Sequence, residues 1–164
     1  MTTLKHRLPA TLTTARLVLT APTMAHAPAI AKLCNNENVH KWMSRLPFPY
    51  TEADAHFFIE QIVPSEEELC YGMLLDDTLI GVVGLSFAQG EDPVLGYWLG
   101  EPYWGHGYAT EAGLAVVAAA RNAGIKALAS RALSDNARSL HVLGKLGFVQ
   151  THKGQEPIGP HAGT

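Results

Sequence analysis

Cysteine is nearly missing from this chain. Cys34 and Cys70 are the only two and stand far apart. That spacing excludes a disulfide framework or a CxxC metal knuckle, and it fits a reducing cytoplasm. The eight histidines include no HxxxH pair, so no metal site is expected. No apolar run approaches the ~20 residues that span a bilayer, so no membrane association is expected either. Positive charge is also short. Twelve Lys and Arg against fifteen Asp and Glu leave a net charge of −3, which argues against nucleic acid as a partner. The sequence holds no GxxxxGK[ST] and no completed G-x-G-x-x-G, so neither a P-loop nor a dinucleotide fingerprint is present. No acidic residue precedes Glu37, and Lys5, Arg7 and several threonines give the start a transit-peptide flavour. Arg16-Leu17-Val18-Leu19 nevertheless reads as a structural strand, which leaves residues 1–13 as a short N-terminal arm.

What is present is an ordinary globular balance. Of 164 residues, 47% are hydrophobic and 16% charged, enough for one domain with a core and too few for two. No repeat, low-complexity tract or linker divides residues 1–164. Leu17–Thr20 reads as a strand, and Thr23–Asn35 as a helix with Pro28 in its first turn. A helical turn is expected over Asn38–Ser44. "LPFPY" at 46–50 cannot be regular structure, and Thr51 then caps a helix through Val63 whose acidic Glu52 and Asp54 suit the helix dipole. Cys70–Leu75 and Leu79–Phe87 form a hairpin over Asp76-Asp77-Thr78, and Val94–Leu99 is a further strand. Thr110–Ala123 is helical up to Gly124, Ile125–Ser130 is strand-like, and Ser134–Leu146 is a helix stopped by Gly147. In that last helix Leu140, Leu143 and Leu146 form the buried stripe. Phe148–Thr151 begins a final strand. The order is β-α-α-β-β-β-α-β-α-β. It implies a mixed α/β (α+β) sheet, parallel across 94–130 and antiparallel in the hairpin before it.

The chemistry lies in "YWLGEPYWGHGYATEA", residues 97–112. A strand breaks into a Gly-x-Gly loop that opens a helix. The first helical turn carries unpaired N–H groups and about half a positive charge. Gly105 and Gly107 let the backbone take positive φ and approach a ligand with no Cβ in the way. Such a junction suits a pyrophosphate, although the same pattern also makes a plain tight turn. A second segment, "SDNARSLHVLGKLGF" at 134–148, is a capped amphipathic helix. Asp135 or Asn136 can be its cap, and Asn136 and Ser139 lie one turn apart and look toward one space.

Together, "GYWLGEPYWGHGYATEA" and "NARSLHVLGKLGF" resemble the GNAT acetyltransferases, most closely the branch similar to ribosomal-protein N-acetyltransferases. "TARLVLTAPT" and "TEADAHFFIE" extend the resemblance from about Thr14 to about Phe148. It implies a GNAT fold, acetyl-CoA as co-substrate, and an amine acceptor, either a protein N-terminus or a small molecule. By the resemblance, the strand at Trp98 and Leu99 offers backbone amides to the pantetheine arm. The amides of Gly105, His106, Gly107, Tyr108 and Ala109 hold the pyrophosphate. Trp104 stands where Arg or Gln is usual, and Asn136 contacts the pantetheine. Lys145 or Arg138 meets the 3′-phosphate or is solvated helix charge.

The implied reaction is direct transfer: a neutral amine attacks the thioester, a strand amide at Leu99 steadies the oxyanion, and the thiolate takes a proton. The family's tyrosine acid, four residues before the Gly-Phe pair, is replaced by Leu143. Ser139 matches a serine assigned to that task or to positioning. Glu91, Asp92, Glu101 and Glu111 are the candidate bases, each equally readable as a surface carboxylate. Trp42, Phe48, Tyr50 and Phe57 are candidates to line the acceptor pocket, with core packing the default for Phe57. The tail "VQTHKGQEPIGPHAGT" departs from the family, and 154–164 reads as irregular. Either the sheet's last strand lies beyond the chain, or it is missing and a second copy covers the edge as a homodimer. Two readings stay open beside the enzyme: a CoA-binding regulatory domain that has lost turnover, and a Gly-loop domain with an unrelated phosphate ligand.

Overall fold

The computed structural model describes residues 4–40, 49–87, 92–130 and 136–148. Its centre is a six-stranded sheet of sequential order, β1 (Thr11–Thr13), β2 (Val18–Thr20), β3 (Glu68–Leu75), β4 (Thr78–Ser86), β5 (Val94–Leu99) and β6 (Ala129–Ser130). Every neighbouring pair is antiparallel except β5 and β6, which are parallel. The mixed sheet expected from the sequence is therefore present. The N-terminal arm contributes an edge strand to it, since Thr11, Leu12 and Thr13 pair with Thr20, Leu19 and Val18.

Helices cover both faces. α1 (Ala27–Cys34), α2 (Glu37–His40) and α3 (Glu52–Phe57) precede β3; α4 (Tyr108–Asn122) and α5 (Ala137–Lys145) flank β6. Pro28 stands in the first turn of α1, where its missing N–H costs nothing. Thr51 caps α3 reciprocally with Asp54, and the chain then winds on as a π turn over Phe58–Ile62. Asp76 and Asp77 take φ of 48° and 66°, the left-handed pair of a two-residue hairpin turn.

Strand alternation sorts the core into two layers. Tyr71, Met73, Val83, Leu95 and Leu99 face α4 and α5, where Val116, Leu143 and Leu146 meet them. Cys70, Val82 and Trp98 face the other way, onto Ile30 and Cys34 of α1 and onto Ala55 and Ile59. Both thiols are buried, and burial pushes each up to about 12. They behave as small hydrophobes.

Three expectations change. Leu140 is 41% exposed, and Val142 joins Leu143 and Leu146 on the buried side instead. Each three-residue step turns about 60° short of a full circle. An arc centred between Leu143 and Leu146 therefore reaches Val142 before Leu140. Phe57 is 60% exposed rather than in the core. The strand read over Ile125–Ser130 pairs only at Ala129 and Ser130. The expected turn beyond His40, the Phe148–Thr151 strand beyond Phe148 and the 154–164 tail lie outside the described residues.

Glu111, in the first turn of α4, joins the two ends of this layer. Its carboxylate accepts from the Thr14 hydroxyl, from the Arg16 backbone N–H at 2.8 Å and from Arg16 Nε at 2.7 Å. Burial opposes its charge, but these donors outweigh burial and hold its pKa below the usual glutamate value. A depressed folded pKa gives stability that is present above the unfolded pKa and lost as pH falls through the folded one. Glu111→Gln is therefore expected to cost about 1–2 kcal/mol at neutral pH, and the difference from wild type to shrink below about pH 4. Denaturant midpoints measured at both pH values check this.

Candidate active site

Among the described residues the parallel ladder of β5 and β6 has two pairs, Val94 with Ala129 and Leu95 with Ser130. Ala129 N–H donates to the Pro93 carbonyl at 2.9 Å, and the Ser130 hydroxyl donates to the Leu95 carbonyl at 2.7 Å. Odd-numbered residues of β5 thus turn their backbone groups toward β6. Even-numbered ones turn toward β4, as the Gly100 N–H bond to Ile80 at 2.8 Å shows. Past Leu95, the backbone groups of Tyr97 and Leu99 have no neighbouring strand on the β6 side among the described residues and line a gap. The Leu99 carbonyl is taken by Trp104 Nε1 at 2.7 Å, which leaves its N–H for the gap. Trp98 turns its backbone to β4 and its ring into the core beside α1.

At the end of β5 the chain makes a single 3-10 turn, Glu101–Tyr103, and enters the glycine loop. Gly105 and Gly107 take φ of 82° and 79°. Gly107 is the N-cap of α4, and no side chain caps that terminus. The first-turn amides, including those of Tyr108, Ala109 and Thr110, are directed outward with the positive end of the dipole behind them. The opening of α5 faces them. Asn136 is its cap, its Oδ1 accepting the Ser139 backbone N–H at 3.2 Å.

The gap, the loop and the head of α5 enclose one cavity of about 590 Å³. Of the residues singled out in the sequence, Trp98, Leu99, Trp104, Gly105 and Gly107 line it. Tyr108, Ala109, Asn136 and Ser139 line it as well. His106 does not; it is exposed, 5.7 Å from the Tyr108 ring. Arg138 and Lys145 reach the cavity, and Arg138 stacks 4.0 Å above the Trp104 ring. Among the candidate bases, Glu111 is committed to Thr14 and Arg16. Glu101 accepts from Asn36 and Asn38 at 3.0 and 2.9 Å, bonds that lower its pKa. Asp92 is exposed. Glu91, Trp42 and Phe48 lie outside the described residues. Tyr50 is buried in the core beside α1.

Three groups escaped the sequence reading. Tyr97 donates its phenol to Ser139 Oγ at 3.1 Å inside the cavity. Arg16 sits 4.4 Å from the Tyr108 ring centroid, and its Nη2 lies 3.5 Å from where a Cβ on Gly107 would be. Glu68, half-buried, lines the far end of the cavity and accepts from Ser86 Oγ at 2.9 Å. Burial raises the Glu68 pKa; the Ser86 bond and Lys5 oppose that, and Glu67 adds to it. None of these carries a local sequence signal. Each depends on which strands become neighbours.

Comparison with known proteins agrees with this geometry. A family model, the acetyltransferase (GNAT) domain, matches residues 16–149. We found no match among curated protein sequences. Among solved structures, Mycobacterium smegmatis RimJ in complex with CoA-disulfide superposes with a TM-score of 0.84 at 16% identity, covering 96% of this chain and 84% of that one. The ribosomal-protein-S5-alanine acetyltransferase of Vibrio fischeri gives 0.77 at 16% identity, over 94% and 92%. MccE, the microcin C7 self-immunity acetyltransferase solved with acetyl-CoA and AMP, gives 0.76 at 22% identity, over 91% and 88%. These identities speak for a shared fold. With the family model spanning most of the chain, from Arg16 just before β2 to just past α5, the protein belongs to the GNAT acetyltransferases.

Proposed function

We propose that this protein is an N-acetyltransferase that moves the acetyl group of acetyl-CoA to a primary amine, directly and within a ternary complex. The observation that carries the reading is the stretch of β5 past Leu95, which no described strand pairs on the β6 side and which opens onto an uncapped, glycine-started helix. The pantetheine arm lies along β5 as an added strand, paired to the backbone of Tyr97 and Leu99. The pyrophosphate rests on the amides of residues 105–109. His106 contributes only its backbone N–H, and Asn136 keeps its carboxamide N–H₂ as a donor. The Leu99 N–H points at the thioester oxygen and steadies the oxyanion as it forms.

The acceptor enters from the opposite face of the sheet, where the cavity reaches Glu68. A protonated amine cannot attack, so a carboxylate must take its proton, and Glu68 is the half-buried carboxylate in the cavity. Among the structural neighbours, RimL, a ribosomal L7/L12 alpha-N-protein acetyltransferase, favours a protein N-terminus as acceptor. Leu143, buried at the position of the family's tyrosine acid, favours a second reading: a CoA-binding domain without turnover.

Thermal stabilisation by acetyl-CoA, absent with ATP or NAD, is expected if the donor site is assigned rightly, since a native-state ligand raises stability by mass action. Gly107→Val forces a β-branched residue into left-handed backbone at a cost of about 1–2 kcal/mol, and should weaken that stabilisation in a protein that still folds. Unchanged acetyl-CoA affinity in Gly107→Val would sink the phosphate-cradle assignment. Thiol release from acetyl-CoA against N-terminal peptides, polyamines and aminoglycosides then separates enzyme from binder; no release with any amine selects the second reading.

The base assignment has its own readout. Glu68 acts ionised, and its pKa is raised, so the acidic limb of kcat/KM should sit above the ordinary glutamate value. Glu68→Gln should lower kcat/KM by about 100-fold and remove that limb. A pH–rate profile of the variant unchanged from wild type would exclude Glu68.

A further inference from the structure

Tyr97 and Ser139 are 42 positions apart in the chain and share a hydrogen bond inside the cavity. Tyr97 lies two residues before Leu99 on the same side of β5, and Ser139 lies in the first turn of α5. The direction of the bond matters. A serine hydroxyl offers one O–H and two lone pairs. The Tyr97 phenol donates into one lone pair, and Asn136 Oδ1 is occupied by the Ser139 backbone N–H, not by its hydroxyl. Ser139 is thereby held as a donor.

Leu143 offers no proton, so the sulfur that leaves the thioester needs one from another residue. We propose that Tyr97 is a positioning residue for acetyl transfer, holding Ser139 as the proton donor to the departing sulfur and replacing the proton that Ser139 gives up. The proposal rests on the acetyltransferase reading above. When the tetrahedral adduct collapses, the C–S bond breaks and its electron pair goes to sulfur. The Ser139 hydroxyl proton moves to that sulfur, and the Tyr97 phenol proton moves to Ser139 Oγ. The phenolate then recovers a proton from solvent, which has received the one lost by the attacking amine. The products are the amide and free CoA thiol, and the protein ends as it began.

The surroundings of Tyr97 suit this cycle. Burial raises the phenol's pKa, so it starts each turnover protonated. The Ser139 bond and the positive charge of Arg138 act the other way, and both favour the transient phenolate. Arg138 is itself held in place by its stack on Trp104.

The test compares Tyr97→Phe, Ser139→Ala and the double variant, using acetyl-CoA with the fastest amine of the panel. Tyr97→Phe keeps the ring and removes only the hydroxyl. Its kcat should fall about tenfold, below the usual range for a dedicated general acid, with KM for acetyl-CoA and stabilisation by CoA unchanged. The double variant should be no slower than Ser139→Ala, because two residues acting in series are not additive. An unchanged kcat in Tyr97→Phe overturns the proposal, as does a loss that adds fully to that of Ser139→Ala. A rise in KM with constant kcat makes the phenol a binding contact and overturns it too. A wild type that releases no thiol with any amine removes the acetyltransferase reading, and this proposal falls with it. An active wild type with an indifferent Tyr97→Phe removes this proposal alone.

Discussion

The site depends on the backbone of Tyr97 and Leu99, which no described strand pairs on the β6 side beyond Leu95 and Ser130. A parallel pair that continued would satisfy the backbone of Tyr97 and Leu99, and no ligand could use it. With no described strand beside Tyr97 and Leu99 on that side, β5 offers their hydrogen-bonding groups to the cleft. The cost of unpaired backbone in a protein interior is high, so the gap has to be wet or filled. Trp104 limits the cost by donating its indole N–H to the Leu99 carbonyl, which leaves fewer groups for a ligand to satisfy. The same bond fixes the entry of the glycine loop. The strand end and the glycine loop are therefore tied together.

The cleft beside β5 also joins two compartments that a fully paired sheet would keep apart. On the α4 and α5 side lie the loop amides, Asn136, Ser139 and the Tyr97 phenol. On the α1 side lie Trp98 and, at the far end of the cavity, Glu68 and Ser86. Alternation along β5 assigns each side chain to its side: Tyr97 and Leu99 to the first, Trp98 to the second. Tyr97 with Ser139, and Glu68, the groups proposed as proton donor and proton acceptor, thus reach one cleft from opposite faces. Each is perturbed by its surroundings, the phenol by burial against Arg138 and the carboxylate by burial against Ser86.

The sheet and its helices were largely legible in the sequence because their signals are local. Thr51 with Asp54, Pro28 in a first turn, the Asp76-Asp77 turn and the Gly105-x-Gly107 junction each need only neighbouring residues. The glycine loop and the Asn136 cap, which line one side of the cavity, were legible for the same reason. What could not be read is what depends on register. Glu68 enters the cavity because it pairs across from Ser86, and Ser86 from Val94. Tyr97 meets Ser139 only because α5 returns over β5. Leu140 failed because leucines three apart drift around a helix, and packing selects Val142 in place of the outermost one.

Charge follows the same division between local and distant. The chain is acidic overall, so its field does not attract a polyanion, and the phosphate end must rely on short-range groups. Replacing the loop's usual cation by Trp104 looks from the sequence like a loss. In the fold, that indole is the platform on which Arg138 stacks, and Arg16 comes to the other side of the loop against Tyr108. Two guanidiniums from distant segments thus flank backbone amides that need no charge of their own. Arg16 is held by Glu111, so the edge that carries β1 and β2 is tied to the first turn of the phosphate helix. Loosening that edge would displace a cation from the loop without touching a residue of the loop. On the proposed cofactor assignment, fold stability and cofactor affinity are coupled through Arg16, whose backbone N–H and guanidinium both bind Glu111.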